Sequence, residues 1–411
     1  MKLLHTADWH LGKLLEGCSR LEEQRIVLAQ FCEMACTHDV DAICIAGDVF
    51  DNSHPSAAAE ELFYSTIKVL SDEGRRLVIV IAGNHDQALR LEAIAPLARE
   101  HGIVIFGTPK SEILSGKYGP FDVEALDAGV FSVNFKRSGE TGVFACVPYP
   151  GEKSLNEVLY NEADDEEKKA EDYTKRVARL LESRASYFRP DTVNVMISHV
   201  YTMNSTQDGS ERGIMLGSSY MLPTDIFPES AQYVALGHVH RPQRVPGSHG
   251  RIRYSGSILP YRLTETVIAK QCCLVTLFPG KACEVEDLYF NNPKPIEKWV
   301  CKSYEEALER CRQEGHRSCY VYLRIYTDSF IREEQIRELK KYKSDILEIV
   351  PVFPDESQEL TMESVAEKDF MELFEDYYKF RKGVAASQDL LELLAQVVEG
   401  GEDSEADFTD S

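Results

Sequence analysis

Five short polar clusters in the first part of the chain contain side chains that bind metals or transfer protons. In chain order they are Asp8-Trp9-His10, Gly47-Asp48-Val49-Phe50-Asp51, Gly83-Asn84-His85-Asp86, His199, and Gly237-His238-Val239-His240. Any one of them alone says little, because a single histidine after an apolar run is more often a hydrogen-bonded core residue than a ligand. All five together, in this order, predict one shared site.

The donors in these clusters predict two metal ions rather than one. Carboxylates, an amide oxygen and several imidazoles form a mixed set that suits Mn²⁺, Fe²⁺ or Zn²⁺ and is too rich in nitrogen for Ca²⁺ or a simple Mg²⁺ site. The donors are too numerous for one ion, whereas two ions that share a carboxylate would have ordinary coordination numbers. Two metals roughly 3.5–4 Å apart can hold both the attacking and the leaving oxygen of a phosphoryl transfer. Phosphoester hydrolysis is therefore the expected chemistry.

Each cluster directly follows a short apolar run, and these runs predict buried strands. The runs are residues 2–4, 42–46, 77–82, 193–198 and 233–236. They are apolar without alternation, as in strands that are covered on both faces. Helical patterns at residues 21–38 and 56–72 separate the first three runs, which predicts βαβ units and an α/β fold with a parallel-rich sheet. Ligand sites lie beyond the carboxyl ends of such strands, so we expect the five clusters to meet there.

The pattern changes along the chain, which predicts four segments. Residues 1–265 form the α/β domain, with a charged insertion at residues 151–189 that is expected to contain a solvated helix. Residues 266–353 alternate apolar runs with polar helices, as in a small α+β capping domain. Residues 354–400 follow a proline-containing linker and contain two helical patterns. Residues 401–411 form an acidic tail that is expected to be disordered.

The net charge of −23 argues at first against a nucleic-acid partner, because phosphate binding usually leaves a basic surface. However, residues 355–411 contain 17 acidic and 4 basic residues, a balance of −13, so over half of the excess lies in that segment. Residues 241–262 contain no acidic residue and five arginines, among them Arg241, Arg244, Arg251 and Arg253. This arginine segment predicts a DNA-binding rim beside the last cluster, with an ordinary solvated loop as the alternative.

Cysteine usage and hydropathy predict a cytoplasmic protein. The 11 cysteines include no CxxC pair, so neither a zinc framework nor a disulfide scaffold is indicated and buried thiols are expected. No run is long and apolar enough for a membrane span, and the first residues do not form a signal peptide.

In their order and spacing, the five clusters resemble the motifs of the calcineurin-like metallophosphoesterases. Within that superfamily, three segments resemble the SbcD nuclease subunits, whose partner is the coiled-coil ATPase SbcC: Asp8-Trp9-His10-Leu11-Gly12, Ser19-Arg20-Leu21-Glu22-Glu23-Gln24 and Tyr254-Ser255-Gly256-Ser257. The resemblance is sharpest over residues 1–265. It implies a β-sandwich flanked by helices, a small α+β capping domain and C-terminal helices.

The resemblance also implies a role for each donor. It assigns Asp8, His10 and His240 to one metal and Asn84, His199 and His238 to the other, with Asp48 as the bridge. His85 takes the place of a catalytic histidine that binds no metal and can protonate the leaving oxygen. Asp51 takes the place of the residue that orients this histidine through its carboxylate. Mn²⁺ is the expected metal, with Mg²⁺, Fe²⁺ and Zn²⁺ as alternatives.

The two C-terminal helical patterns are expected to dock onto the partner. Their apolar residues include Phe370, Leu373, Phe374, Tyr377, Leu390 and Leu394. Apolar stripes are usually core, but little chain remains beyond the linker for these to pack against. The helical patterns at residues 21–38 and 56–72 carry apolar residues on more than one face. Together with the resemblance, this implies a homodimer of the nuclease domain and a heterotetramer with the SbcC-type ATPase.

The expected function is metal-dependent hydrolysis of DNA. The resemblance implies an ATP-gated exonuclease on duplex ends and an endonuclease on single strands and hairpins, acting in DNA repair, recombination and replication at the nucleoid. One alternative is a small-molecule phosphoesterase that acts on nucleotides or phosphomonoesters. Another is a non-catalytic scaffold for DNA and the ATPase. The arginine segment and the additional domains argue against the former, and the complete donor set with His85 argues against the latter.

Overall fold

The computed structural model describes residues 1–151, 155, 166–203, 205–206 and 221–353. The predicted docking segment at residues 354–400, with Phe370, Leu373, Phe374, Tyr377, Leu390 and Leu394, lies outside the described residues, as does the acidic tail.

The described residues form helices α1 Leu21–Thr37, α2 Ala57–Ser71, α3 Ala88–Glu92, α4 Ala95–Ala98, α5 Glu166–Ala185, α6 Tyr304–Glu314 and α7 Glu333–Tyr342. The strands are β1 Lys2–Thr6, β2 Leu14–Leu15, β3 Cys18–Ser19, β4 Ala42–Ala46, β5 Leu77–Ile81, β6 Ile103–Phe106, β7 Gly116–Tyr118, β8 Phe121–Asp127, β9 Val130–Phe135, β10 Glu140–Val147, β11 Val193–His199, β12 Tyr233–Gly237, β13 Gln243–Arg244, β14 Ile252–Tyr254, β15 Gln271–Thr276, β16 Glu284–Tyr289, β17 Ile296–Cys301, β18 Tyr320–Tyr326 and β19 Ile346–Val352. Short 3₁₀ turns lie at Arg99–His101, Thr224–Ile226 and Leu263–Val267.

The chain divides into two compact units. The first contains residues 1–297 and 318–320, and the second contains the remaining described residues from 298 onward. In the first unit, one sheet has the strand order β16-β15-β1-β4-β5-β6 and the other β13-β14-β12-β11-β10-β9-β8-β7. Strands β1, β4, β5 and β6 are parallel to one another, and so are β10, β11, β12 and β14. The five apolar runs become β1, β4, β5, β11 and β12, which confirms the prediction of buried, parallel strands.

Three apolar layers explain why these runs do not alternate with polar residues. In β4, Cys44 belongs to the core between the two sheets, whereas Ile43 and Ile45 belong to the core under α1 and α2. In β11, Val195 lies between the sheets and Met196 packs on the outer side, toward α5. Both faces of each strand are therefore removed from water, which stabilises the fold by about 1.5–3 kcal/mol for each large apolar side chain. The structure is a β-sandwich flanked by helices, as predicted.

Capping residues mark both ends of α2. The Ser56 side chain accepts a hydrogen bond from the backbone of Ala59 at the start of α2, and Asp72 ends that helix in a left-handed conformation. Helix α5 corrects the expectation of a solvated helix in the insertion. Its residues at helical spacing, Tyr173, Val177, Leu181 and Ala185, are buried against the second sheet.

The boundary predicted at residue 265 lies too early. Strand β15 pairs antiparallel with β1, with Leu3 opposite Val275, and β16 pairs with β15. Both strands thus belong to the first sheet, where β15 covers the edge of β1 that faces away from β4. The second unit contains a three-stranded sheet in the order β17-β18-β19, with helices α6 and α7. An α+β unit does follow, but it begins near residue 298 rather than at 266.

None of the 11 cysteines forms a disulfide. Among the described residues, no helix is long and apolar enough to cross a membrane.

Candidate metal centre

The five polar clusters meet at one end of the sandwich. The Asp8, Asp48 and Asn84 clusters follow β1, β4 and β5 of the first sheet, and His199 and His238 lie at the ends of β11 and β12 of the second. Most side chains of the clusters are buried, whereas Asp51, Asn84 and Asp86 are half-buried. The prediction that they would assemble beyond the carboxyl ends of the strands is confirmed by their positions.

Backbone strain is concentrated at these strand ends. Asp8, His10, Asp48 and His238 have φ values of 51°, 45°, 49° and 99°, in the left-handed region that ordinary residues rarely adopt. Such conformations cost about 1–3 kcal/mol each and persist where surrounding contacts impose them. Here the backbone nitrogen of Asp8 donates to the carbonyl of Gly47 at 3.0 Å, and that of His10 to the carbonyl of Asp48 at 3.0 Å.

Two glycines allow the sheets to approach each other closely here. A Cβ atom on Gly237 would lie 1.9 Å from the carbonyl oxygen of Ala46, and one on Gly47, which has a φ of +90°, would lie 2.3 Å from Nδ1 of His199. Both positions exclude a larger residue because backbone or ring atoms occupy the space.

The first group of donors contains Asp8, His10 and His240, whose ligand atoms lie within 4.8 Å of one another. The Nε2 atoms of the two histidines are 2.9 Å apart. Burial lowers the pKa of His10 to about 3, so this imidazole is neutral and can present a lone pair to a cation. The resemblance assigned this same group to one metal.

The second group contains Asn84, His199 and His238. The Oδ1 atom of Asn84 lies 3.0 Å from Nε2 of His199 and 2.9 Å from Nδ1 of His238. Burial and the neighbouring His199 lower the pKa of His238 to about 3. Two imidazole nitrogens and an amide oxygen thus face one point, which is the set assigned to the other metal.

Asp48 lies between the two groups. Its Oδ2 atom is 3.6 Å from Nε2 of His10 and 3.5 Å from Nε2 of His199. Burial raises the pKa of Asp48, but the surrounding imidazoles, with His199 foremost, outweigh it and hold the pKa well below its usual range. An ionised carboxylate in contact with both groups is what a bridging ligand requires.

Asp8 and His199 differ from the neighbouring donors because their pKa values are raised. Burial raises the pKa of Asp8 to about 6, against the opposing effect of His199 and His240. For His199, burial is outweighed by the charge and hydrogen bond of Asp48, and the pKa rises to about 9. A cation that binds here therefore competes with protons on both residues.

His85 lies at the edge of this centre. Its ring is 4.7 Å from that of His10, and its Nε2 is 3.9 Å from Oδ2 of Asp48. Its Nδ1 lies 2.7 Å from the backbone carbonyl of Asp51, so Nδ1 carries a proton and donates it. The backbone carbonyl of Asp51 thus orients His85, whereas its carboxylate accepts from Nζ of Lys13 at 2.7 Å and lies 3.5 Å from Nδ1 of His10. The role of the Asp51 carboxylate toward His85 stays a prediction.

Two residues that position the clusters were quoted in the motifs but given no role. Asp86 accepts hydrogen bonds from the backbone of Gly83 at 2.8 Å and of Phe50 at 2.9 Å, which joins the loops after β4 and β5. Gln24 of α1 donates to the backbone carbonyl of His10 at 2.8 Å. Their positions in the motifs were the available signal, but spacing alone does not reveal a backbone partner.

The arginine segment divides into two pairs. Arg253 is buried and donates to Oδ1 of Asp287 at 2.8 Å. Arg251 donates to the carbonyls of Phe227 at 2.9 Å and Pro228 at 3.1 Å. Both arginines therefore make hydrogen bonds within the fold, and their contact with DNA stays a prediction. Arg244 is exposed and Arg241 is half-buried.

The donor set fits two divalent ions on its own chemistry. Imidazole nitrogens, carboxylate oxygens and an amide oxygen face inward in two groups that share Asp48, and such mixed oxygen and nitrogen sets suit first-row transition metals. The geometry does not select Mn²⁺ among them.

Comparison with known proteins agrees with this interpretation. Residues 1–242 match the family model described as calcineurin-like phosphoesterase, and residues 292–382 match that described as type 5 capsule protein repressor C-terminal domain. The SbcD subunit of the SbcCD nuclease of Bacillus subtilis is 35% identical over 99% of this chain and 100% of its own length. The SbcD subunit of the same nuclease in Rhodobacter capsulatus is 33% identical over 69% of this chain and 68% of its own.

Among solved structures, a dimetal phosphatase from Danio rerio aligns with 70% of this chain and 99% of its own, with a TM-score of 0.38 and 12% identity. That likeness is too weak to add to the assignment. The matched phosphoesterase model and the full-length similarity are sufficient: this chain belongs to the SbcD nuclease subunits of the calcineurin-like phosphoesterases, a family of metal-dependent hydrolases.

Proposed function

We propose that this chain hydrolyses DNA phosphodiester bonds with two divalent ions, as the nuclease subunit of a complex with an SbcC-type ATPase. The observation that carries the proposal is the position of Asp48 between two groups of donors, in a chain similar over its full length to a nuclease subunit. Asp8, His10 and His240 would hold one ion, Asn84, His199 and His238 the other, and Asp48 both.

In this mechanism the ions, when bound, supply Lewis-acid activation of the attacking water and of the phosphate. The chain supplies the proton for the leaving group. In its protonated form, His85 donates a hydrogen bond from Nδ1 to the Asp51 carbonyl, which directs Nε2 toward the centre. As water attacks phosphorus and the bond to the leaving oxygen breaks, the Nε2 proton of this imidazolium passes to that oxygen and leaves the ring neutral. The proton of the attacking water is released to solvent, and the ring takes up a proton from solvent before the next cycle.

The charge distribution of this chain provides little positive surface for binding DNA. Of the four arginines first expected to contact phosphate, Arg244 is exposed and Arg241 half-buried, which is little positive surface for a chain of net charge −23. We infer that the partner supplies most of the positive surface that holds the duplex. Residues 354–400, with the apolar residues named above, are proposed as the docking segment, and the activity is placed in the cytoplasm at the nucleoid. Mn²⁺ is the proposed metal.

Self-association is part of the same proposal. Ile26 of α1 and Val69 of α2 remain 40% and 56% exposed, as expected if a second copy covers them. A dimer would set two centres on one DNA and give a heterotetramer with the ATPase. Light scattering that finds a monomer both alone and with the ATPase would remove this part of the proposal.

The function is tested with end-labelled duplex and with a DNA hairpin in Mn²⁺, with and without the coexpressed ATPase and ATP. We expect cleavage of both that stops on addition of a chelator and increases with the ATPase. Hydrolysis of a small chromogenic phosphodiester without cleavage of any DNA, alone or with the ATPase, would contradict the proposal. A chain truncated after residue 353 should keep the small-substrate activity and lose the ATPase on co-purification.

A further inference from the structure

A fully buried glutamate lies behind one of the candidate ligands. Glu265 belongs to the 3₁₀ turn Leu263–Val267, and its Oε1 atom lies 3.5 Å from Nδ1 of His240. The other ring nitrogen, Nε2, faces Nε2 of His10 at 2.9 Å. The imidazole of His240 thus stands between the candidate metal position and a carboxylate.

The charge of this glutamate is maintained by a buried lysine. Nζ of Lys270 donates to Oε2 of Glu265 at 2.5 Å and to the backbone carbonyl of His240 at 2.9 Å. The positive charge of Lys270 thus lies directly on one carboxylate oxygen of Glu265. A carboxylate in such an ion pair accepts hydrogen bonds and does not donate them.

The remaining oxygen of this carboxylate needs a donor. Oε1 is buried and has no hydrogen-bond partner at ordinary distance among the described residues. Leaving such an acceptor unsatisfied costs about 1–3 kcal/mol, more when it is charged. The Nδ1 atom of His240 is the group that faces it, and a proton placed there leaves the lone pair on Nε2.

We propose that Glu265 is a positioning residue for the ion held by Asp8, His10 and His240. By accepting the Nδ1 proton of His240, it fixes the tautomer and the ring orientation that present Nε2 to the metal. This inference rests on the proposed two-metal function. Carboxylates behind a ligating histidine increase its basicity, and their loss typically lowers metal affinity about 10–100-fold.

At His199, a ligand of the second ion, the group that accepts from Nδ1 is different. Nδ1 of His199 lies 2.8 Å from the backbone carbonyl of Ala46, which is a neutral acceptor. Glu265 therefore acts on one ion of the pair and not on the other, which makes its effect distinguishable from a general loss of stability.

The test measures metal binding directly on the full-length chain. Mn²⁺ is titrated into chelator-treated protein in competition with a chromophoric chelator, without DNA, and the thermal unfolding of the same samples is followed. We expect wild type to bind two ions. Glu265→Gln should bind one ion as wild type and the other about 10–100-fold more weakly.

A matched control is Asp287→Asn, which removes the same charge from another internal ion pair of the first unit, with Arg253. It should unfold at a lower temperature and bind both ions as wild type. A second variant, Glu265→Gln with Lys270→Met, removes both charges of the buried pair. It should regain stability while one ion stays weakly bound.

Wild-type affinity for both ions in Glu265→Gln would overturn the inference, as would the same result in the double variant if the single variant does not fold. Equal weakening of both ions in either variant would also overturn it. A wild-type chain that binds two ions but cuts no DNA would refute the proposed function and leave the role of Glu265 standing.

Discussion

The strand-end clusters and the arginine segment are both polar, and Arg241 directly follows His240, yet the fold uses them differently. The clusters contribute inward-facing donors whose partners are mainly one another and the loops that carry them. In the arginine segment, by contrast, Arg251 and Arg253 are bound to carbonyls and to a carboxylate of the same unit. Polar residues at the carboxyl ends of parallel strands are thus available for chemistry, whereas polar residues on the following strands also form hydrogen bonds that hold the fold together.

The largest loss of activity is expected from a substitution after β4, and a substitution before the same strand serves as its control. Asp48 follows β4, and the buried Asp41 precedes it and accepts a hydrogen bond from Nε of Arg137 at 3.0 Å. We expect Asp48→Asn to abolish cleavage of DNA and of a small phosphodiester, because both ions lose their shared ligand. Asp41→Asn should lower the unfolding temperature and keep the activity. Activity assays and thermal unfolding of both variants check this. Near-normal turnover of Asp48→Asn would contradict the role of Asp48 as the shared ligand.

A smaller effect is expected at His85, which belongs to a cluster without being assigned to a metal. His85→Ala should lower the rate constant of DNA cleavage by about 10²–10⁴-fold, because the proton donor is lost. Both ions should remain bound, as measured by metal analysis after gel filtration. If one ion is missing from this variant, His85 is a ligand and its assigned role is wrong.

The pH dependence should distinguish the two ions. Asp8, with a pKa raised to about 6, must lose its proton to bind, so the affinity of the first ion should fall about tenfold per pH unit below 6 and stay constant above it. His199, with a pKa raised to about 9, should make the affinity of the second ion rise by a similar factor per unit up to about pH 9. Chelator competition at pH 5 to 9 measures both, and parallel profiles would contradict the separate assignments.

The smallest effect concerns the arginine segment itself. Arg244→Ala should flatten the dependence of the logarithm of DNA affinity on that of salt by about one unit, with unchanged stability. Arg251→Ala should leave the salt dependence unchanged and lower the stability. It leaves carbonyl groups without a donor, at a cost of about 1–3 kcal/mol in the free energy of unfolding. Binding curves at several salt concentrations and denaturant unfolding test the pair. Equal loss of DNA affinity in both variants would show that Arg244 and Arg251 do not differ in their roles.

The sequence was sufficient to predict the five strands that carry the clusters, the main helices and the meeting of the five clusters, because unbroken apolar runs and strand-end motifs are local patterns. It did not predict that β15 and β16 complete the first sheet, since the partner of an edge strand is chosen by distant residues. It also could not separate Arg251 and Arg253 from Arg241 and Arg244, because hydrogen bonds to backbone carbonyls leave no trace in residue type. Glu265 belongs to no motif, and its role can be recognised only from its position beside His240 in the structure.

The absence of side chains at Gly47 and Gly237 affects how this protein can change during evolution. Over most of the sandwich, the two sheets are separated by large side chains such as Phe131 and Phe144, which can be exchanged for others of similar volume. At the metal end, Gly237 lies directly against the backbone of Ala46 and Gly47 against the ring of His199, so neither position has a side chain that could be made smaller or larger. Substitutions in the core can therefore accumulate and be absorbed by repacking without altering the spacing of the donors. Substitutions elsewhere in the sandwich therefore leave the distances within the catalytic centre unchanged.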